Sequence, residues 1–202
     1  SPYPVKHLRY SYYYFIKTVK ANSSKVKFFC QTNGYVKLLR AVFGDEIDIK
    51  VEKMKTLELL SLSNEVKLPV KQKYKFDFIF HASFISAKGA DYCLELASKM
   101  PKHMFVVPEN MLIDINVPKN VIFRPCTWQT GLKQLIIDSR IVLCLSRWSA
   151  PTEAAVLKSM LLGKPTVMMN ENTFSHEIPS DAFISLSGNS DVDSKELSMV
   201  LN

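Results

Sequence analysis

Ile141-Val142-Leu143-Cys144-Leu145-Ser146-Arg147-Trp148-Ser149-Ala150-Pro151-Thr152-Glu153 passes from a nearly pure apolar run into a polar, proline-bearing turn. Five successive apolar residues suit a strand covered on both faces, as the central strands of parallel sheets are. The residues after it read as a helix entrance. Pro151 fits the first helical position, Ser149 or Ala150 fits the cap, and Glu153 is spaced to reach back to a cap amide. The helix then turns Ala154, Leu157, Met160 and Leu161 inward. It closes at Gly163-Lys164-Pro165, glycine ending the helix and proline opening the next strand.

The same rhythm extends to both sides. Asp77 to His81 is a short strand, and Lys88 to Met100 a helix with Cys93, Leu96, Ala97 and Met100 on one face. His103 to Val107 and Asn120 to Arg124 are strands. A helix from about Trp128 to Ser139 carries Leu132, Leu135 and Ile136. Pro165 to Met169 and Ala182 to Leu186 complete the strands, and Ser194 to Leu201 is a terminal helix. Strand and helix alternating at this spacing imply right-handed crossovers and one doubly wound α/β sheet, parallel throughout, with Ile141–Leu145 at its centre.

Upstream the pattern is shorter. The first twenty or so residues form an aromatic, amphipathic helix (Tyr10, Tyr12, Tyr13, Tyr14, Phe15) that stops at Asn22-Ser23-Ser24. Val26–Cys30 is a strand, Gly34–Phe43 a helix ended by Gly44, and Ile47–Val51 a strand, giving an αβαβ segment. Residues 52–75 are a charged connector with Pro69, so the expected division is 1–73 and 74–202. Residues 1–73 hold 14 Lys and Arg against 6 acidic residues, so the net charge of +7 is concentrated there. That excess fits either a solvated lysine-rich face or an anionic partner such as a membrane surface or nucleic acid. No apolar run reaches the ~18 residues of a membrane span, and the opening residues carry no signal-peptide pattern. Cys30, Cys93, Cys126 and Cys144 lack metal-ligand spacing and read as free thiols of a reducing, cytoplasmic setting. A 47% hydrophobic composition over 202 residues is enough for a full core.

In such a sheet, ligands bind beyond the carboxyl ends of the strands. The loops there are 81–88, 108–119, 125–128, 146–152 and 170–177. In the first, Ser83 follows a small residue that permits close backbone approach. Lys88, at a helix start, adds a cation beside the positive end of the helix dipole, which suits a diphosphate. Thr127 and Trp128 open another helix; the indole either stacks on a base or packs in the core with its N–H on a polar partner. Glu153 is either a capping residue or a site carboxylate. His81 and His176 read as structural.

Together these segments resemble the C-terminal domain of retaining GT-B glycosyltransferases of the group 1 type. Phe80 to Gly89 is similar to the family's strand and phosphate loop ending in Lys-Gly, and Asn120-Val121-Ile122-Phe123 to its base-binding segment. Ile141–Ser146 and Met160–Val167 are similar to its strand, glutamate-bearing helix and Gly-Lys-Pro-Val block. The resemblance covers roughly 76–190, and Lys25–Met54 resembles the last strand–helix–strand of the family's N-terminal, acceptor domain. It implies a Rossmann-like nucleotide-sugar-binding domain (74–202) and the remnant of an acceptor domain (1–73). It also implies retaining sugar transfer from a nucleoside-diphosphate donor to a glycan or lipid-linked acceptor, with no metal and no further cofactor. Peripheral membrane contact through 1–73 and a homodimer are the further partners considered.

The implied binding set is Ser83, Lys88, Thr127, Trp128, Ser149, Thr152 and Lys158, with Glu153 as the catalytic candidate. The chain departs from the pattern in two places. Ala82-Ser83 stands where the family has Gly-Arg. Of the family's glutamate pair, the ribose member falls on Lys158 and the sugar-side member on Ser149 or Ala150, leaving Glu153 as the one acid at that helix. The competing expectation is a glycosyltransferase-like domain without catalysis, which binds a partner, nucleic acid or membrane through its basic third.

Overall fold

The computed structural model describes residues 5–31, 33–52, 73–110, 116–147, 153–170 and 178–201, with side chains from residue 11 on. The chain divides into two compact units, Ser1–Lys55 and Thr56–Asn202.

The first unit runs α1 (Val5–Ala21), β1 (Lys27–Cys30), α2 (Asn33–Phe43) and β2 (Asp48–Val51), the αβαβ order expected from the sequence. β1 and β2 pair in parallel, Lys27 opposite Asp48 and Cys30 opposite Val51. A small core of Val19, Phe43 and Ile47 holds them, with Ile16, Phe28 and Leu39 packed against it. Phe28 stacks on Phe43 with ring centroids 5.2 Å apart. Gly44, at φ 98, ends α2 in a backbone conformation that glycine adopts without strain.

The second unit contains β3 (Phe76–Ile79), α3 (Ala90–Lys99), β4 (Phe105–Val107), β5 (Val121–Phe123), α4 (Leu132–Ile137) and β6 (Ser139–Cys144). It continues with α5 (Ala154–Leu161), β7 (Thr166–Met169), β8 (Ile184–Leu186) and α6 (Ser190–Leu201). The strands form one six-stranded sheet in the order β5-β4-β3-β6-β7-β8. Every pairing is parallel. β6 lies inside the sheet between β3 and β7, as its apolar run predicts. Its side chains alternate between two cores. Ile141, Leu143 and Leu145 join Phe78, Leu96, Phe105 and Leu197 on one face. Val142 and Cys144 join Ile79, Ile136, Val156 and Leu162 on the other. Both faces being covered explains why no polar residue interrupts Ile141–Leu145.

Three elements differ from the sequence reading. The helix expected over 128–139 is a 3-10 turn, Trp128–Thr130, followed by α4. Gly131, at φ 132, breaks the helical path between them, and Ser139 already belongs to β6. The terminal helix begins at Ser190, four residues early, because Asn189 Oδ1 accepts the amides of Asp191 (3.0 Å) and Val192 (3.3 Å). In α5, Ala154 is exposed, and the buried stripe is Val156, Ser159 and Leu162, flanked by half-buried Leu157 and Met160. Ser159 can sit in the core because its hydroxyl donates to Ala155 O at 2.6 Å. The end of α5 is as expected: Gly163 (φ 63) donates to Met160 O at 2.9 Å and Lys164 to Ser159 O at 3.0 Å, closing a Schellman turn.

Candidate functional site

The chain lays down β3, β4 and β5 in one direction, then crosses back to place β6 on the other side of β3. Order reverses between β3 and β6, and in open α/β sheets ligands bind at such a switch point, beyond the carboxyl ends of the strands. The loops here are 80–88 after β3 and 145–153 after β6, the first and fourth of those singled out in the sequence.

Their backbones are pressed together. Gly89, at φ 85, follows the 3-10 turn Ser86–Lys88 and leads into α3. A Cβ on Gly89 would lie 2.2 Å from Leu145 O and 2.6 Å from Leu145 Cβ. Only glycine fits there, for contact and for conformation alike. Two residues after Leu145, Arg147 N–H donates to Ala87 O at 3.2 Å. Arg147 also reaches Asp91 at 3.0 Å, and its guanidinium lies 5.6 Å from the Tyr92 ring centroid. Tyr92 is in turn anchored, its hydroxyl donating to the fully buried Asp193. Asp193 also accepts Ser187 N and Gly188 N at 3.0 Å each, and against the opposing effect of burial the Tyr92 bond, with these, holds its carboxyl below the usual range.

On this frame Lys88 Nζ lies 3.1 Å from Glu153 Oε1, 3.4 Å from Oε2 and 3.4 Å from Ser146 Oγ. The Glu153 side chain is 7% exposed and that of Lys88 23%. The cap amide at Ser149 or Ala150 that Glu153 is spaced to reach lies outside the described residues. Glu153 occupies the cap position of α5 with extended backbone (φ −100, ψ 94), but its side chain bonds no helix amide. Its carboxylate spans the switch point to Lys88 instead, since a buried carboxylate gains more from an ammonium than from a neutral amide. Beneath the pair lies Cys144, a thiol that burial pushes up out of reach of ionisation.

A second group adjoins the first. His81 Nε2 is 2.9 Å from Ser159 Oγ. Burial, aided by the charge of Lys158, lowers the His81 pKa to about 4, so the ring is neutral near pH 7. Lys158 Nζ lies 5.2 Å from the centroid of the Trp128 ring, a cation–π contact. Trp128 itself is half-buried against the core beneath α5, so it packs as well as facing Lys158.

The structure thus joins Lys88 to Glu153 and Lys158 to Trp128. Thr127 is exposed and forms a reciprocal capping box with Thr130, its N–H donating to Thr130 Oγ1 at 2.7 Å. Ser83 is exposed, its carbonyl accepting Ile85 N–H at 2.8 Å. Among the described residues neither is hydrogen-bonded to the Lys88 or Lys158 groups. Ser149, Thr152 and His176 lie outside the described residues. Ser146, Gly89 and Arg147 were not singled out from the sequence; the Lys-Gly pair after β3 was the available signal for Gly89. Among the described residues no group of three or more His, Cys, Asp or Glu is placed to hold a metal ion. Among them, too, no helix is long and apolar enough to cross a membrane.

No protein-family model and no curated protein sequence matches the chain. Solved structures do match it in fold. Sucrose-phosphate synthase from Thermosynechococcus elongatus superposes with a TM-score of 0.67 at 11% identity, covering 92% of this chain and 52% of its own. A glycosyltransferase from Rickettsia africae gives 0.64 at 13% identity, covering 92% and 56%. HepE from Anabaena, solved with UDP and glucose, gives 0.60 at 14% identity, covering 86% and 53%. The chain therefore spans about half the length of these proteins. With its parallel sheet, its strand order and these superpositions, the chain has the fold of a GT-B glycosyltransferase, its second unit that of the Rossmann-like C-terminal domain.

Proposed function

We propose that the second unit binds the nucleoside-diphosphate sugar of a glycosyltransferase, the donor diphosphate seated at the carboxyl ends of β3 and β6. The observation that supports this most is Lys88: a part-buried ammonium fixed at the switch point, beside the Ser146 hydroxyl, on a loop that glycine packs against β6. Lys88 Nζ donates to the diphosphate oxygens, and Ser146 adds a neutral donor. As the sugar–phosphate bond breaks, negative charge grows on the departing diphosphate, where a preoriented cation in a water-poor crevice stabilises most. The reaction is retaining and takes its positive charge from side chains rather than a metal, with a glycan or lipid-linked acceptor. Trp128 and Lys158 flank the site on the base and ribose side. Glu153, the carboxylate paired with Lys88, accepts from sugar hydroxyls or steers Lys88.

Titration of the purified chain with UDP, GDP, ADP and their sugar conjugates tests the reading. Binding of at least one, weakened in Lys88→Ala, is the expected result. Equal affinity in the variant, or no binding by any of them, refutes it.

A further inference from the structure

We infer that Glu153 is a built-in competitor for the anion site, its carboxylate holding Lys88 until a phosphate displaces it. The identity of the anion rests on the donor-site reading; the competition rests on geometry alone.

Glu153 opens α5, where its carboxylate has helix amides within easy reach, yet it makes no cap bond. Both its oxygens lie within 3.4 Å of a lysine on a different loop, 65 residues away. The carboxylate is the more deeply buried partner, at 7% exposure against 23%. A buried carboxylate is stable only while it is paired, so Glu153 is a strong claimant for the ammonium. An incoming phosphate and this carboxylate carry the same charge and need the same donor. In a low-dielectric crevice both cannot hold it without mutual repulsion.

The loop cannot settle the contest by moving away. Gly89 abuts Leu145 and the Arg147 amide binds Ala87 O, so the backbone carrying Lys88 is locked to the exit of β6. Exchange must take place in the side chains: Glu153 swings out as the anion arrives. The site is therefore self-occupied at rest, and free phosphate or pyrophosphate is held more weakly than Lys88 and Ser146 alone would hold it. A donor whose sugar hydroxyls offer Glu153 a new partner recovers part of that loss, which favours the intact nucleotide sugar over the bare diphosphate.

Calorimetric titration with two probes, inorganic pyrophosphate and UDP, tests this on the full chain. Wild type is compared with Glu153→Gln, with Glu153→Ala as a second variant, and with the double variant Lys88→Ala/Glu153→Gln. Removing the charge should tighten both probes about tenfold, the fold-change that about 1.4 kcal/mol of competition produces. The double variant should lose the gain. Unchanged or weaker binding of both probes by both Glu153 variants overturns the inference. Tighter pyrophosphate without any UDP binding supports the competition and removes the nucleotide reading. UDP bound equally by wild type and variants does the reverse. No binding of either probe by any protein overturns both.

Discussion

Replacing Gly89 by alanine attacks the joint on which the site is built. The added Cβ would lie 2.2 Å from Leu145 O, 2.6 Å from Leu145 Cβ and 2.8 Å from Leu145 C. Two of these are backbone atoms of the chain leaving the central strand, so no flexible side chain can yield. Forcing a Cβ into a close-packed position costs about 1–3 kcal/mol. Holding alanine at φ 85 adds about 1–2 kcal/mol. The expected loss is about 2–5 kcal/mol. Gly131→Ala is the control: it has φ 132, but nothing lies within 4 Å of its Cβ, so only backbone strain of about 1–2 kcal/mol applies. Urea unfolding followed by tryptophan fluorescence reads the second unit, since Trp128 and Trp148 both belong to it. The midpoint should fall at constant slope, and much further for Gly89 than for Gly131. In the surviving folded protein Lys88 should be shifted from Ser146, and UDP affinity should drop as well. A Gly89→Ala protein within about 1 kcal/mol of wild type, or level with Gly131→Ala, refutes the close approach as a structural determinant.

The other predictions are independent of that joint. Lys88→Ala should weaken UDP binding by about 1.5–3 kcal/mol in calorimetry, the scale of a charge-assisted hydrogen bond; no change marks an ordinary surface lysine. His81 titrates near 4 when folded and near 6.5 when unfolded, so the unfolded chain takes up its proton first as pH falls. Its contribution is complete above about pH 6.5 and declines by about 3 kcal/mol toward pH 4. Urea titrations from pH 7 to 4.5 should show that slope, reduced in His81→Gln. Donor binding by the 202-residue chain should survive while sugar transfer fails, and robust transfer to any acceptor in a radiolabel assay contradicts this. On α1, Tyr12, Tyr13, Tyr14 and Phe15 are all more than half exposed beside Lys17 and Lys20. Cosedimentation with anionic vesicles should be salt-sensitive and should fall in a Tyr13→Glu/Tyr14→Glu variant; equal binding to neutral vesicles counts against a basic contact.

The fold was legible where burial is two-sided or strongly periodic. Ile141–Leu145 announced a central strand because both its faces meet a core, and Cys93, Leu96, Ala97 and Met100 marked the inner face of α3 because all four are apolar. α5 was misread for the opposite reason. Its buried stripe includes Ser159, whose polarity is cancelled by bonds to Ala155 and His81 that pattern alone does not reveal. Gly131 hid a helix break because a single glycine is tolerated within a helical pattern at modest cost. For the site, Lys88 was visible as a cation at a helix start. The role of Glu153 was not, because a cap glutamate and a cross-loop ion-pair partner have the same local sequence; only the meeting of loops 65 residues apart separates them. Ser146 was passed over because a serine after a strand carries no signal until a lysine is brought beside it.

The central claim, a nucleoside-diphosphate site between β3 and β6, is tested most directly by thermal unfolding of the purified chain with a panel of nucleoside diphosphates and their sugars. A ligand at a hundred times its Kd stabilises the native state by about 2.7 kcal/mol, a rise of roughly 5–10 °C for a domain of this size. At least one member of the panel should give that rise in the wild type and lose most of it in Lys88→Ala. A flat Tm across the whole panel, or a rise that Lys88→Ala leaves intact, contradicts the account.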